Sequence, residues 1–296
     1  MAGDSTARDS GRDSGRDSGR DPGRDPGRDT RRDTGLTVAL VQRASSLDPA
    51  ENRAALAKAV AKAVRREPKP SLVVLPEAFA RDFGKPGSDV SPFAEPVDGP
   101  FVTAAAEQAR THAVTVVAGM FETSDDPERP YNTLVVLGPD GSLRATYRKI
   151  HLYDSFGYKE SDRLVAGPVE PVLVDIDGVR VGLTTCYDLR FPELTRALAE
   201  RGAELVLVPA AWVAGDRKVA HWRTLVAARA IENTVYVAAA GQPAPRYTGH
   251  SMVVAPNGDV LAEAGSGDDR VVVATVHLAT LDEVRRTNPS LLNRRM

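Results

Sequence analysis

Three ionisable side chains in this 296-residue chain sit where apolar runs give out. Glu77 follows Ser71-Leu72-Val73-Val74-Leu75-Pro76, Lys149 follows the run from Leu143 to Tyr147, and Cys186 follows Val179-Arg180-Val181-Gly182-Leu183-Thr184-Thr185. Cys186 is the chain's single cysteine. A thiol with a reference pKa of about 8.5 is mostly protonated at neutral pH, so it becomes a nucleophile only with a base or a cation beside it. Each of the three also has a plainer reading. A lone cysteine at a strand end packs as a small hydrophobe, Glu77 after a proline is a loop carboxylate, and Lys149 beside Arg148 is a solvated charge. The company of Cys186 weighs against packing, because Tyr187-Asp188-Leu189-Arg190 is not what flanks an inert core position.

The elements that must position these residues can be read from periodicity and turn chemistry. The β-branched run before Cys186 predicts a strand, and Pro192-Glu193 with Leu194 and Leu198 at helical spacing predicts a helix after it. Such a junction is where open α/β sheets place chemistry, since the strand ends form a crevice and the N–H groups of the next helix point into it. Upstream, Leu36 to Gln42 predicts a buried strand. Asp48-Pro49-Ala50-Glu51 then offers a cap and a first turn for a helix with Leu56, Val60, Ala63 and Val64 on one face. Ser71 to Leu75 reads as a strand covered on both faces. Residues 80–100 form a polar, Gly- and Pro-rich connection, Val102 to His112 a helix, and Val114 to Met120 a strand. Tyr131 to Leu137 and Leu143 to Tyr147 form a hairpin about Pro139-Asp140-Gly141. A long loop, the kind that usually carries function, then runs to Gly167. Past the cysteine, Leu205 to Val208 is a strand and Val219, Trp222 and Val226 mark a helix through Ile231. Strands at 234–240, 251–255, 260–264 and 271–276 follow. Helices early and in the middle, with hairpins between and at the end, point to two sheets packed face to face with helices outside.

Residues 1–35 stand apart. From Asp9 to Asp33 they repeat Gly-Arg-Asp-Ser and Gly-Arg-Asp-Pro, and residues 1–35 as a whole hold eight Arg against eight Asp with almost nothing apolar to bury, so they are expected to be a disordered low-complexity tail. They carry no apolar stretch of the kind a secretory signal needs. Residues 36–296 suffice for one large domain. A net charge of −2 offers no footprint for nucleic acid or a membrane surface, no apolar run approaches the roughly 20 residues of a membrane span, and one cysteine excludes a disulfide framework. The expected location is cytoplasmic.

Leu75-Pro76-Glu77-Ala78-Phe79, Tyr147-Arg148-Lys149-Ile150-His151-Leu152 and Cys186-Tyr187-Asp188-Leu189-Arg190-Phe191-Pro192-Glu193-Leu194 resemble, in that order, the three motifs around the Glu, Lys and Cys of the carbon–nitrogen hydrolase (nitrilase-like) superfamily. The third is most similar to its Nit-type amidase branch. The similarity runs from about Leu36 to Asp282. It implies an α/β fold of the four-layered αββα sandwich type and a homodimer or larger assembly. It also implies the roles. Glu77 would be the general base for Cys186, and Lys149 with the backbone N–H of Tyr187 would hold the oxyanion, where loss of one donor costs about 2.7–4 kcal/mol. Glu160, in Tyr158-Lys159-Glu160-Ser161, would orient the lysine and the substrate. The loop before it is shorter than in eukaryotic members, which leaves substrate choice open.

Two readings stand for Arg190: a guanidinium holding a substrate carboxylate, as in relatives that act on such amides, or an internal ion pair with Asp188 or Glu193. Trp212 lines the pocket or simply packs. The implied reaction uses no cofactor and no metal: a small carboxylate-bearing amide is cleaved through a thioester on Cys186 with release of ammonia. Arg229-Ala230-Ile231-Glu232 and Gly249-His250-Ser251-Met252-Val253-Val254 lean toward the deaminated glutathione amidases over the omega-amidases. A nitrilase or N-carbamoyl hydrolase would use the same thiol. A papain-like hydrolase would need His151, His221 or His250 beside Cys186; none has the context of such a triad, and His151 reads as support for Glu77 or Lys149. A silent binding module on the same fold is the remaining alternative, against which stands the presence of all four catalytic residue types.

Overall fold

The computed structural model describes residues 35–295, so the repetitive segment ahead of Gly35 lies outside the described residues. The strands are β1 Gly35–Gln42, β2 Leu72–Val74, β3 Thr115–Glu122, β4 Tyr131–Leu137, β5 Leu143–Arg148, β6 Asp154–Ser155, β7 Tyr158–Lys159, β8 Leu173–Ile176, β9 Val179–Leu183, β10 Leu205–Ala210, β11 Tyr236–Gly241, β12 Met252–Val254, β13 Val260–Glu263 and β14 Arg270–His277. The helices are α1 Pro49–Ala63, α2 Pro100–His112, α3 Pro192–Glu200, α4 Lys218–Asn233 and α5 Leu278–Thr287.

Two six-stranded sheets form, one in the order β14-β1-β2-β3-β4-β5 and the other β13-β12-β11-β10-β9-β8. Each has a parallel centre, β1-β2-β3 and β9-β10-β11, flanked by antiparallel strands. Period-2 alternation decides what each face meets. Along β1, Ala39 and Val41 turn toward Leu56, Val60, Phe101 and Ala105 of α1 and α2. Leu36, Val38 and Leu40 turn the other way, into a core shared with the second sheet and with Leu194, Leu198, Trp222 and Val226 of α3 and α4. β1 faces β11 and β5 faces β8 across that core. The layers therefore run helix, sheet, sheet, helix, and the α/β sandwich expected from the sequence is the observed architecture.

Local chemistry explains the element ends. Asp48 caps α1 by accepting from Ala50 N at 2.7 Å, and Pro49 opens the helix. The helix stops at Ala63, leaving Val64 as its cap rather than a member. At α2 the cap is remote: the Glu95 carboxylate accepts from Phe101 N at 2.6 Å.

The structure adds elements that the sequence reading passed over. β8 pairs with β9 as an edge strand, and α5 follows β14 where only strands were expected. The signal for α5 is present, since Leu278, Leu281 and Val284 recur at helical spacing. Part of the long loop is a small β6-β7 hairpin closed by a 3₁₀ turn at Glu160–Asp162. The residues just after Cys186 are also not the start of α3: Cys186–Arg190 is a separate 3₁₀ turn. β14 joins the other sheet from β13 and pairs with β1, which includes Gly35, assigned above to the tail.

One close approach ties the first sheet to the loop after β2. A Cβ on Gly119 of β3 would lie 2.6 Å from Ala78 N and 2.9 Å from Glu77 Cα. Gly119→Ala is therefore expected to lower stability by about 1–3 kcal/mol through overpacking. A shift of the denaturation midpoint checks it; an unchanged midpoint would mean that the loop yields freely.

Candidate active site

Lys149 lies one residue past β5 and is 2% exposed. Its Nζ donates to Glu77 Oε1 at 3.0 Å and to both oxygens of Glu160, at 3.1 and 2.9 Å. Glu77, carried by the loop after β2, accepts further bonds from Asn132 Nδ2 on Oε1 (2.7 Å) and from Ala211 N on Oε2 (2.7 Å). Its backbone carbonyl accepts from Gln242 Nε2 at 2.9 Å. Glu160 accepts from Tyr153 N at 2.5 Å. Two buried carboxylates thus share one buried ammonium, with protein donors filling their remaining positions.

Cys186 follows β9 at a backbone φ of +47° and lines the same cavity as Glu77, Lys149 and Glu160. The turn that holds it is pinned by Asp188, a buried carboxylate that accepts from Thr185 N at 2.8 Å, Tyr147 Oη at 2.6 Å and His151 N at 3.1 Å. His151 Nδ1 is 2.7 Å from the same side chain, and its ring stacks on Phe191 at 3.8 Å. His151 therefore supports Asp188, not Glu77 or Lys149 as expected, because its backbone and ring are both drawn to the cysteine turn. Asp188 clamps the lysine segment to the cysteine segment.

Burial alone would strip the Lys149 ammonium of its proton; Glu160 and then Glu77 overrule it and hold the group charged, well above the ordinary lysine range. Burial raises Glu160 in spite of Lys149. The Cys186 thiol is pushed well up, first by burial and then by the nearby Glu77 charge, against a smaller opposing pull from Lys149.

These four residues open on a cavity of about 240 Å³. Tyr187 lines it, its ring edge-on to Tyr153 at 4.9 Å. Arg190 also lines it and forms neither of the ion pairs weighed for it; its guanidinium lies over the Trp212 ring at 4.9 Å, with Nη2 3.5 Å from His221 Nδ1. Trp212 does both things considered for it, lining the cavity and packing on Trp222 at 5.5 Å. Among the described residues no histidine lines the cavity, and His250 is engaged with Glu263. Sequence reasoning missed Asn132, which holds Glu77, the clamp role of Asp188, and Lys218, Lys85 and Arg246 on the cavity wall. Nothing local marks Asn132, whereas Lys218 stands at the start of a predicted helix, a place where a cation is out of the ordinary.

Among the described residues no group of His, Cys, Asp and Glu side chains is arranged to hold a metal ion, and no helix is long and apolar enough to cross a membrane.

The profile of the family described as carbon-nitrogen hydrolase matches residues 37–286. A deaminated glutathione amidase of Escherichia coli O157:H7 is 41% identical over 76% of this chain and 85% of its own length. A 2-oxoglutaramate amidase of Paenarthrobacter nicotinovorans is 37% identical over 77% of this chain and 79% of its own. Among solved structures, a mutant of the amidase from Nesterenkonia sp. AN1 superposes with a TM-score of 0.72 at 29% identity, covering 87% of this chain and 96% of that one. Its active site cysteine carries the acetamide moiety of fluoroacetamide.

Two outcomes follow from the geometry. Asp188→Ala leaves a phenol and two backbone N–H groups without their buried acceptor, at about 1–3 kcal/mol each, so a stability loss of about 3 kcal/mol or more is expected in chemical denaturation; a loss near zero would remove Asp188 as the clamp. Glu77→Gln deletes a charge that raises the thiol and leaves the Lys149 charge that lowers it, so the pKa of Cys186 falls. Ultraviolet titration of the thiolate reads this directly, and an unchanged or higher midpoint would dissociate Glu77 from the thiol.

Proposed function

We propose that this chain, which belongs to the carbon–nitrogen hydrolase family, is a thiol amidase that cleaves a small carboxylate-bearing amide, deaminated glutathione or the omega-amide of a 2-oxo acid. The observation that carries the reading is the convergence of Glu77, Lys149, Glu160 and Cys186 in one hydrogen-bonded, buried cluster facing a cavity. The names of the two amidase relatives support the substrate class.

The chemistry runs from the protonation states. The neutral Cys186 thiol attacks the amide carbonyl while Glu77 takes its proton, so no free thiolate has to exist in a buried site. The carbonyl oxygen becomes an oxyanion, and Lys149 together with the backbone N–H of Tyr187 stabilises it. Collapse breaks the C–N bond, and the proton on Glu77 leaves with the amine. That amine is ammonia from a primary amide and a larger amine from an N-substituted one. Water, deprotonated by Glu77, then attacks the thioester, and the acid departs with the thiol restored. Glu160 keeps Lys149 charged and aimed throughout.

A homodimer or larger homo-oligomer in the cytoplasm completes the reading. Its support is the family's habit of assembly, together with the exposed apolar side chains Ile231, Val260 and Leu261.

The test is intact-mass analysis of wild type and Glu77→Gln mixed with deaminated glutathione, omega-amides and simple nitriles, with released amine or ammonia followed in parallel. An acyl mass gain on Cys186 with amine release from one amide is expected. Turnover retained in Cys186→Ala, or adducts from nitriles alone, would overturn the amidase assignment. Lys149→Met is expected to lose at least about 10²-fold in kcat, and full activity would remove its oxyanion role.

A further inference from the structure

Lys218 opens α4 and is 9% exposed, yet among the described residues it forms no ion pair. Its Nζ donates to Tyr153 Oη at 3.1 Å and otherwise meets aromatic faces, 4.0 Å from the Phe156 ring centroid, 5.4 Å from Tyr153 and 5.9 Å from Trp212. The first turn of a helix is also the positive end of its dipole, the least favourable end for a cation. A second cation faces the same space. Arg190 lies over Trp212 at 4.9 Å, forms no ion pair among the described residues, and has a buried Nε with no hydrogen-bond partner. Trp212 is itself fixed by donating from Nε1 to the Lys218 carbonyl at 3.1 Å, so one ring sets the positions of both cations.

This arrangement is electrostatically costly. Two like charges are partly stripped of water and not neutralised, and burial followed by the Arg190 charge lowers the Lys218 ammonium below its ordinary range. The carboxylates of the same cavity cannot relieve it, because Glu77 and Glu160 are both committed to Lys149. An anion between the two cations would relieve it, and the cavity that holds them also holds Cys186. We infer that Lys218, in its cage of Tyr153, Phe156 and Trp212, joins Arg190 in holding a carboxylate of the substrate within this cavity and sets the preference for charged over neutral amides. The inference rests on the amidase reading and deepens it. It makes Lys218 a specificity residue: the ammonium holds the remote carboxylate and takes no part in bond making or breaking.

The test compares glutaramate with pentanamide, which lacks the carboxylate, in wild type, Lys218→Met, Lys218→Gln and Lys218→Arg, with ammonia release as the readout. Wild type is expected to favour glutaramate. In Lys218→Met and Lys218→Gln the ratio of the two kcat/KM values is expected to fall about ten- to hundred-fold, as for loss of one charged hydrogen bond, mainly through KM for glutaramate. Lys218→Arg should retain most of the preference. An equal slowing of both amides, or an unchanged ratio, would overturn the subsite. Failure of the amidase reading looks different: wild type would release ammonia from neither amide. Calorimetric titration with glutarate then decides, since binding to wild type that is lost in Lys218→Met supports the subsite, and equal binding, or none to either protein, overturns it.

Discussion

A lysine ammonium held out of water between two carboxylates is the feature around which both sheets are arranged. Removing an ion from water costs several kcal/mol even after relaxation, and ion pairing offsets that only when geometry is good and the remaining polar positions are filled. Here they are filled from across the fold. Asn132 reaches Glu77 from β4, Ala211 N reaches it from the end of β10 in the opposite sheet, and Tyr153 N reaches Glu160 from the loop beyond β5. Both sheets must be in place before the cluster can exist, so docking of the sheets and assembly of the site are one event.

The backbone around the cluster is unusual next to Glu77 and at Cys186. Ala78, next to Glu77, has φ of +53° and Cys186 has φ of +47°, conformations that a residue with a Cβ adopts at a cost. Each is held by something that outweighs the cost. The loop after β2 is pressed against Gly119, with Ala80 N donating to the Gly119 carbonyl at 3.0 Å, and the cysteine turn is drawn tight by Asp188. Burial and the adjacent Asp188 charge push the Tyr147 phenol well up, so it remains a donor to that carboxylate. The same strained turns aim Glu77 and Cys186 at one another.

The cavity is electrically divided. Around the thiol the two carboxylates are occupied by Lys149. Arg190 and Lys218 line the same cavity without counter-ions among the described residues, while Arg246 is tied to Asp82 at 2.7 Å. A molecule with a neutral amide at one end and a carboxylate at the other matches that division in one orientation. Aromatic faces from Tyr153, Phe156 and Trp212 wall the charged end, which strengthens whatever electrostatic contact forms there.

Much of this was legible in the residues. The alternation in β1, the Asp48-Pro49 cap of α1 and the apolar run of β2 act over a few positions, and each predicted its element within a residue or two. The placement of Glu77, Lys149 and Cys186 just past apolar strands was likewise a local signal, and the three motifs read together pointed to the family. What stayed hidden rests on contacts between distant segments. That β14 pairs with β1, that Asn132 serves Glu77, that Asp188 gathers donors from Tyr147, Thr185 and His151, and that Lys218 is buried without a carboxylate are all properties of the assembled layers. Periodicity and capping are set by neighbours along the chain, so the elements and the chemical types at their ends were already written in residue order. Burial and the filling of hydrogen-bonding positions depend on which surfaces meet, and those became fixed when the two sheets and their helices packed together.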